Sequence, residues 1–509
     1  MTKSDVLIVG AGPTGLVLAI WLTRLGVRVR VVDQASSPGQ TSRALAVSPR
    51  TLEFYRQMGF ASAVVDAGVP LAGGNLWVRG ERKAHVDFAS MGKGRSPFDH
   101  LLVYPQDHHE KLLTEHLAAA GVQVERPVEF VDFDPAASGV SARLRHADGS
   151  IETCEADYLA GCDGARSPVR QGLHVDFPGG TYARYFYVAD VEASGPTMNG
   201  ELHIDFEGAD FVTCFPMKGG TRARLVGTVR DEVERKEELT WADVDRRIVE
   251  RLRMQVTRVN WFSTYHVHHR VAAAFRRGRV FLLGDAAHIH SPVGGQGMNT
   301  GIGDAVNLAW KLAATLGGHA DERILDSYEA ERVPFAQRLV RTTDRAFELV
   351  TAEGGLARHV RDDVVPPLLA AGFRFPAARR RLFDTVSQIK VEYRASAFNE
   401  GREGAVHGGD RLPWVPAEAS DNFRALASID WQVHVYGEAG SDLRQACEAR
   451  RLALRVFPWT PPAARAGLAR DAAYLVRPDG YVGLAASSAS AAARLAAYLD
   501  ARGLRPLAA

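Results

Sequence analysis

Apolar and polar positions change rhythm three times within the first 33 residues. DVLIVG at 5–10 is a short apolar run. Leu16, Ala19, Ile20, Trp21 and Leu22 then recur on a helical face across 15–25, and VRVRVVD returns to a strand pattern ending at Asp33. That order predicts a βαβ unit over residues 5–33. SPRTLEFYRQMG at 48–59 predicts a helix with Ser48 as its cap, Pro49 at its first position and Gly59 near its end. A second helical pattern covers 106–120. ERPVEFVDF, ARLRHADG and DYLAGCDG read as strands, and Ala147-Asp148-Gly149 marks a hairpin.

Between 180 and 275 the pattern is that of an antiparallel sheet: YARYFYVADVEA, GELHIDF, DFVTCFPM and ARLVGTV, separated by Gly or charged turns. Alternation in GELHIDF puts Glu201, His203 and Asp205 on one face and Leu202, Ile204 and Phe206 on the other. Thr213 and Phe215 share a face in FVTCFPM and are candidates to line a substrate pocket. RVFLLG at 279–284 resumes a buried parallel-type strand, and 297–316 predicts a long helix with Met298, Ile302, Ala305, Ala309, Leu312 and Leu316 near one stripe. Residues 325–400 are helical and Arg-rich, and 402–420 resembles a linker. Beyond it, WQVHVYG, LALRVFPW and AAYLVRPDGYVGLAA read as strands around helices at 441–450 and 487–503. The expected fold class is α/β. A Rossmann-like domain comprises 1–178 and 276–345, an inserted antiparallel-sheet domain 179–275, a helical connection 346–400 and a C-terminal domain 401–509.

A chain of 509 residues, 46% hydrophobic and 24% charged, can bury a large core without disulfides or a structural metal. Its 61 Lys and Arg against 60 Asp and Glu remove the bulk-charge argument for a nucleic-acid or acidic-membrane partner. No run of about 18 apolar residues predicts a spanning helix. Gly-rich sequence follows the apolar start at once, so it reads as a strand entering a loop rather than a signal peptide. The four cysteines, Cys154, Cys162, Cys214 and Cys447, form no CxxC pair. Neither His108-His109 nor His268-His269 has a metal-ligand spacing. A reduced cytoplasmic chain without a metal site is expected.

Three glycine-anchored motifs carry the candidate chemistry. In Gly10-Ala11-Gly12-Pro13-Thr14-Gly15, Gly10 permits a tight turn, Gly12 lets the backbone approach a pyrophosphate and Gly15 lets helix and strand pack closely. The pyrophosphate sits at the positive end of the helix. Asp33, at the end of the second strand, can accept ribose hydroxyls. This motif alone does not separate NAD from FAD. Cys162-Asp163-Gly164-Ala165-Arg166-Ser167-Pro168 follows another strand. Gly284-Asp285 follows a third, and Pro292-Val293-Gly294-Gly295-Gln296-Gly297-Met298-Asn299 then opens a helix. A second Gly-rich helix entrance so far downstream suits a flavin dinucleotide. Asp285 can hold a ribityl hydroxyl, and the helix start can aim backbone N–H groups at the ring edge that becomes negative on reduction.

GAGPTG, CDGARSPVR and GDAAHIHSPVGGQGMNTGIGDAVNLAWKL resemble the three fingerprints of the single-component FAD-dependent aromatic hydroxylases, the family of para-hydroxybenzoate and phenol hydroxylases, across residues 4–345. The tail from about 400 is similar to the thioredoxin-like C-terminal domain of the phenol- and polyketide-hydroxylase branch. It lacks a CxxC and so reads as a structural or oligomerisation element. The resemblance implies FAD as cofactor, NADH or NADPH as a transient donor, and O₂. It implies cofactor contacts from Gly10, Gly12, Pro13, Thr14 and Gly15, from Asp33 with the adjacent Gln34, and from Gln106, Gly284 and Asp285. It sets Arg43 beside the flavin and its phosphates, as a candidate catalytic residue too. It associates Asp163 with both FAD and the nicotinamide donor, and puts Pro292, Gly295, Gly297, Met298 and Asn299 under the isoalloxazine. Asp163 as a simple turn cap and Arg43 as a surface ion-pair member stay open.

The family's chemistry implies that NAD(P)H reduces the flavin, O₂ adds to give a C4a-hydroperoxide, and its terminal oxygen goes to an electron-rich carbon of a phenolic or polycyclic aromatic ring. The protein must exclude water, orient the ring and favour phenolate. Tyr265, in Trp261-xxx-Tyr265-xxxx-Arg270, matches the position of a tyrosine that assists the substrate hydroxyl in phenol hydroxylase. It is the second catalytic candidate and, with Thr213 and Phe215, a substrate candidate. ALAVSPRTLE is apolar where that enzyme carries a catalytic carboxylate. Other flavin reactions (oxidative dehalogenation, Baeyer–Villiger insertion, halogenation) and an FAD-binding protein without turnover remain as alternatives. The expected partner is a small aromatic molecule, with no nucleic acid or membrane, and a homodimer is left open.

Overall fold

The computed structural model describes residues 4–506 apart from 40–43, 89–90, 137, 208–209, 230–238, 245, 292–294, 352–364, 374 and 419. Arg43 and Pro292 therefore lie outside the described residues.

The fold is α/β, with a Rossmann-type region and an inserted antiparallel sheet. The first sheet is built on five parallel strands in the spatial order Val280–Leu282, Ile151–Gly161, Ser4–Val9, Val29–Val32, Val124–Glu125. Such strands are covered on both faces and read as continuous apolar runs. Val6, Leu7, Ile8, Leu159, Ala160, Phe281 and Leu282 are accordingly buried. Gly139–His146 and Val128–Ala136 extend this sheet as an antiparallel hairpin layer. The helix Pro13–Arg24 follows the first strand, and its apolar residues Leu16 through Leu22 vanish into the core. The helix Pro49–Met58 begins where its sequence requires. Ser48 accepts from Thr51 N, and Gly59 closes the helix at φ +91, a conformation that glycine adopts without a Cβ clash.

The second sheet runs His288–Ile289, Gln255–Val271, Gly179–Ser194, Arg222–Thr228, Asp210–Pro216, Leu202–Glu207, Gly73–Val78, Glu81–Asp87. Its pairings are antiparallel except for Leu202–Glu207 beside Gly73–Val78. Residues 73–87, far upstream of the insert, thus complete its far edge. One face carries Tyr187, Ala189, Val191, Val212, Cys214, Ala223 and Leu225, sealed by Val244, Val249, Leu252 and Met254. Contrary to simple polarity, the Glu201–Asp205 face of Leu202–Glu207 is the buried one. His203 takes a hydrogen bond from Trp77 Nε1 (3.1 Å) and Asp205 takes one from Arg251 Nε (2.9 Å).

Among the described residues the C-terminal region forms a six-stranded sheet in the order Val406–His407, Glu400–Glu403, Val482–Ala486, Ala473–Val476, Gln432–Tyr436, Ala453–Phe457. It packs on the helix Gly297–Leu316, where Trp310 meets Trp431 edge-on with centroids 5.4 Å apart. Between them lies a charged cluster with almost no exposure. Lys311 Nζ donates to Glu331 (3.0 Å), Arg477 bonds Glu331 (2.7 Å) and Asp479 (2.6 Å), and Trp310 Nε1 reaches Asp479 (3.1 Å). Burial alone would raise the Glu331 carboxyl, but Arg477 and Lys311 outweigh it and hold Glu331 well below the ordinary range.

Candidate active site

The three motif turns and Asp33 emerge at the carboxyl ends of four adjacent parallel strands, the place where open α/β sheets take ligands. Gly10 follows Val9, Asp33 follows Val32, Cys162-Asp163 follow Gly161, and Gly284-Asp285 follow the strand ending at Leu282. Main-chain bonds stitch these turns side by side: Gly10 N to Val32 O (2.8 Å), Cys162 N to Val9 O (2.8 Å) and Leu283 N to Gly161 O (3.0 Å).

The first turn is shaped by its missing side chains. A Cβ on Gly10, whose φ is +99, would lie 2.4 Å from Cys162 O, and one on Gly15 would lie 2.0 Å from Gly10 O. A Cβ on Gly12 would meet nothing within 4 Å. Gly10 and Gly15 are therefore required by the fold, whereas the space at Gly12 is open. It fronts the uncapped N-terminus of Pro13–Arg24, which carries no acidic residue in its first turn. That combination fits a pyrophosphate. Thr14 sits between the first and third motifs, since a Cβ on Gly284 or Gly301 would run into its Oγ1 at 2.8 and 2.3 Å.

Asp33 is partly committed. Its carboxylate accepts from Ala11 N (2.7 Å) and Ala35 N (2.8 Å), so it also braces the glycine turn. Arg126, which the sequence did not single out, stands 3.4 Å from Asp33 and donates to Ala11 O at 3.3 Å. Gln34 is exposed beside it. Gln106 opens its helix with N–H bonded to Ala44 O (3.1 Å), and its side chain donates to Glu110 (2.7 Å). Asp163 caps its turn through Val169 N (3.0 Å), yet its Oδ1 is buried without a hydrogen bond, and burial raises its carboxyl above the usual range. An orphaned acceptor at this junction fits a donor supplied by a bound cofactor. Asp285 is exposed on the Gly284–Ala286 turn.

That third turn is held from behind by residues the sequence reading overlooked. Asp304 accepts from Gly284 N (3.0 Å), His288 Nε2 (2.7 Å) and Arg332 Nε (2.6 Å), all buried. Burial pushes Asp304 up, but Arg332 and His288 prevail and keep it below the ordinary carboxylate range. Arg170 donates to Ala286 O and Ala165 O, both at 2.8 Å, and so ties the second motif to the third. Asn299 does not offer a free amide. Its Oδ1 accepts from Ser48 N (2.9 Å) and Thr51 Oγ1 (2.7 Å), and its Nδ2 donates to Ala46 O (2.9 Å) and Gly295 O (2.8 Å). Its contribution is to clamp 46–51 against Gly295, which has φ +63. Gly297 and the half-buried Met298 begin the 20-residue helix Gly297–Leu316, which has no side-chain cap and no acid in its first turn. His290 adds a buried Nε2 with no partner, 3.8 Å from where a Gly297 Cβ would be, and burial lowers the ring to about 4.

The second sheet brings the substrate candidates onto a single face. The register aligns Ile204, Thr213, Val226, Val188 and Ser263 in one row, with Phe215, Arg224, Asp190 and Trp261 in the row on one side. On the other side lie Phe206, Phe211, Phe186 and Tyr265. Thr213, Phe215 and Tyr265 are half-buried. Phe215 joins Leu45, Leu71 and Val103, and Tyr265 joins Phe186, Phe211 and Val267. Arg224 and Asp190 form a buried bidentate pair (2.6 and 2.8 Å), and Arg224 also reaches Ala44 O at 3.4 Å. The aromatic face is thereby joined to the segment that Asn299 clamps.

Comparison with known proteins decides the chemistry. A family described as "FAD binding domain" matches residues 3–343. The 6-methylpretetramide 4-monooxygenase of Streptomyces rimosus is 35% identical, over 99% of this chain and 94% of its own.

The chain belongs to the FAD-dependent aromatic monooxygenases.

The pentachlorophenol 4-monooxygenase of Sphingobium chlorophenolicum is 33% identical over 80% of this chain and 75% of its own. The solved structure of the anhydrotetracycline hydroxylase OxyS of Streptomyces rimosus superposes with a TM-score of 0.81, at 29% identity, covering 99% of this chain and all of that one. This monooxygenase uses FAD, NAD(P)H and O₂ to hydroxylate an aromatic or polyketide substrate. When bound, the flavin supplies the activated oxygen, and the chain's own residues bind, orient and shield.

Proposed function

We propose that this monooxygenase hydroxylates a multi-ring phenolic substrate held against the aromatic face of the second sheet. The observation that carries the reading is the single face shared by Thr213, Phe215 and Tyr265, broad and aromatic, joined through Arg224 and Ala44 to the clamp at Gly295. The 6-methylpretetramide 4-monooxygenase, which covers nearly the whole chain, supports it. The pentachlorophenol relative favours a single-ring phenol as the second reading.

In this proposal Gly12, Pro13 and Thr14 receive the FAD pyrophosphate, and Asp33, Gln34 and Arg126 border the ribose. Asp285 takes a ribityl hydroxyl, and the entrance at Gly295–Met298 meets the ring. Arg43 lies beside the flavin, and Asp163 is kept for the orphaned-acceptor role. Tyr265 orients the substrate hydroxyl and relays its proton. The C-terminal region is thioredoxin-like without a dithiol. Support comes from its order of strand, helix, parallel strand, helix, antiparallel strand pair and helix, with the second strand outermost beside the first. Four free cysteines without a CxxC pair support a reducing, cytoplasmic setting, and no described helix is long and apolar enough to cross a membrane.

The test is NAD(P)H oxidation by the FAD-loaded protein with phenols, hydroxybenzoates and polycyclic phenols. The proposal expects the largest stimulation, with product 16 mass units heavier (roughly one oxygen atom), from the polycyclic set. Stimulation by single-ring phenols alone would favour the second reading.

A further inference from the structure

The helix Pro376–Val386 ends through a left-handed residue that is not glycine, as Pro168–Gly172 and Ser441–Ala449 also do at His174 and Arg451. Ser387 is its last αR residue, and Gln388 follows at φ +59. Such a position favours glycine, as with Gly59 after Pro49–Met58, because a Cβ is disfavoured in that region. A glutamine in this position goes against the local backbone preference. Its side chain is almost fully buried, and its destination explains the choice. Its amide donates to two residues at one helix start: Nε2 bonds Gln296 Oε1 (2.6 Å) and Thr300 Oγ1 (3.1 Å).

Gln296 and Thr300 are the N-cap and first-turn residues of the helix Gly297–Leu316. Gln296 makes no side-chain cap to its own helix. Its Nε2 instead reaches back to Val386 O (3.1 Å). Thr300 Oγ1 donates to Gln296 O (2.9 Å), so the pair and Gln388 close a ring of bonds around the entrance. The adjoining Ser387 O accepts from Arg50 N (3.1 Å), at the start of the helix whose preceding segment Asn299 clamps. One short strap, 386–388, therefore grips both chain segments that border Gly295 and Gly297.

We infer that Gln388 is a positioning residue for the flavin: it draws the Gln296 side chain off the helix end and fixes the entrance so that the N–H groups of the first turn stay open to the cofactor. The inference rests on the reading of Gly295–Met298 as the ring-side loop. It makes a prediction that a stability role alone does not. In Gln388→Gly, the positive φ is relieved while the amide is lost, so stability and cofactor handling separate.

The experiment titrates apoprotein with FAD by fluorescence quenching, and records the visible flavin spectrum and the apoprotein melting temperature. Gln388→Gly is expected to melt within about 2 °C of wild type while its Kd for FAD rises roughly tenfold and the flavin bands shift. Gln388→Asn, which also tolerates positive φ but is one carbon short, is expected to move the Kd in the same direction. It serves if the glycine variant does not fold. Wild-type Kd and spectrum in either folded variant, with or without a lower melting temperature, overturn the inference. Gly297→Ala separates the two readings, because its Cβ meets only ordinary contact with His290. If Gly297→Ala binds FAD as wild type does, the loop assignment itself fails. If it weakens FAD and Gln388→Gly does not, the positioning role alone fails.

Discussion

At the turn after Ser4–Val9, shape comes from absent side chains, whereas on the second sheet it comes from present ones. A Cβ at Gly10 or Gly15 would strike backbone, so the turn admits little but glycine, and the open volume at Gly12 faces the uncapped start of the helix Pro13–Arg24. The aromatic face is set by the side chains of Phe186, Phe211, Thr213, Phe215 and Tyr265, of which Thr213, Phe215 and Tyr265 are half-buried and Phe186 and Phe211 pack the core beneath them. A site made of main chain holds a constant ligand, and a site made of side chains can be retuned for many. This division suits a family that keeps FAD and varies its ring substrate.

The sharpest way to break the comparison is Gly12→Val. The space at Gly12 is empty, so the apoprotein is expected to fold with a near-wild-type melting temperature, while FAD affinity falls by roughly a hundredfold or more. Wild-type affinity would move the pyrophosphate elsewhere. Next in size is Tyr265→Phe. FAD binding should hold, NAD(P)H oxidation should continue, and hydroxylation should fall by ~10²-fold, with peroxide released instead. Unchanged product per NAD(P)H would assign Tyr265 to packing against Phe186. Asp285→Ala should weaken FAD by about tenfold through loss of one buried hydroxyl contact, and an unchanged Kd would contradict its ribityl role.

A smaller effect concerns acid. Burial lowers His109 and His434 to about 3 and His203 and His290 to about 4. These rings stay neutral in the folded chain, while in the unfolded chain they protonate near pH 6.5. Their contribution is complete above about pH 6.5 and is lost as pH falls toward 4, at up to ~1.4 kcal/mol per pH unit each. Glu331 and Asp304, held low, add a second loss only below the ordinary carboxylate range. The melting temperature should begin to fall near pH 6.5, and His434→Gln should flatten that onset. A melting temperature constant down to pH 5 would contradict it. At the bottom of the scale, Cys447→Ser should leave turnover unchanged. Cys447 is the lone cysteine beyond residue 400, and burial raises its thiol to about 11.

The same division explains what could be read from sequence. The helix Pro49–Met58 falls where its Ser48 cap and Gly59 put it, and Gln106–Ala119 and Gly297–Leu316 fall where their helical patterns put them, because those signals are local. Gly73–Val78 carries no local mark of its place, since it pairs with Leu202–Glu207 more than a hundred residues away and takes its hairpin partner Glu81–Asp87 with it. Asp304, Arg332 and Arg126 were missed for a similar reason. A buried charge announces itself only through a distant partner, and Asp304 lies within the quoted third motif without any local mark of its role. The motif places Asn299 beside the flavin but does not show what its side chain holds. Its four bonds to 46–51 and Gly295 depend on a strand crossing that no spacing reveals. Gln388 left one trace, a non-glycine where a helix ends, visible only once the helix end is known.

The central claim is that FAD sits in the glycine turns and the substrate on the aromatic face. The most direct measurement is a paired equilibrium titration of apoprotein with FAD for Gly12→Val and Thr213→Val. The account predicts loss of FAD binding in the first and a wild-type Kd in the second, which should instead change only the stimulation of NAD(P)H oxidation by substrate. Equal loss of FAD affinity in both, or retention in Gly12→Val, would contradict it.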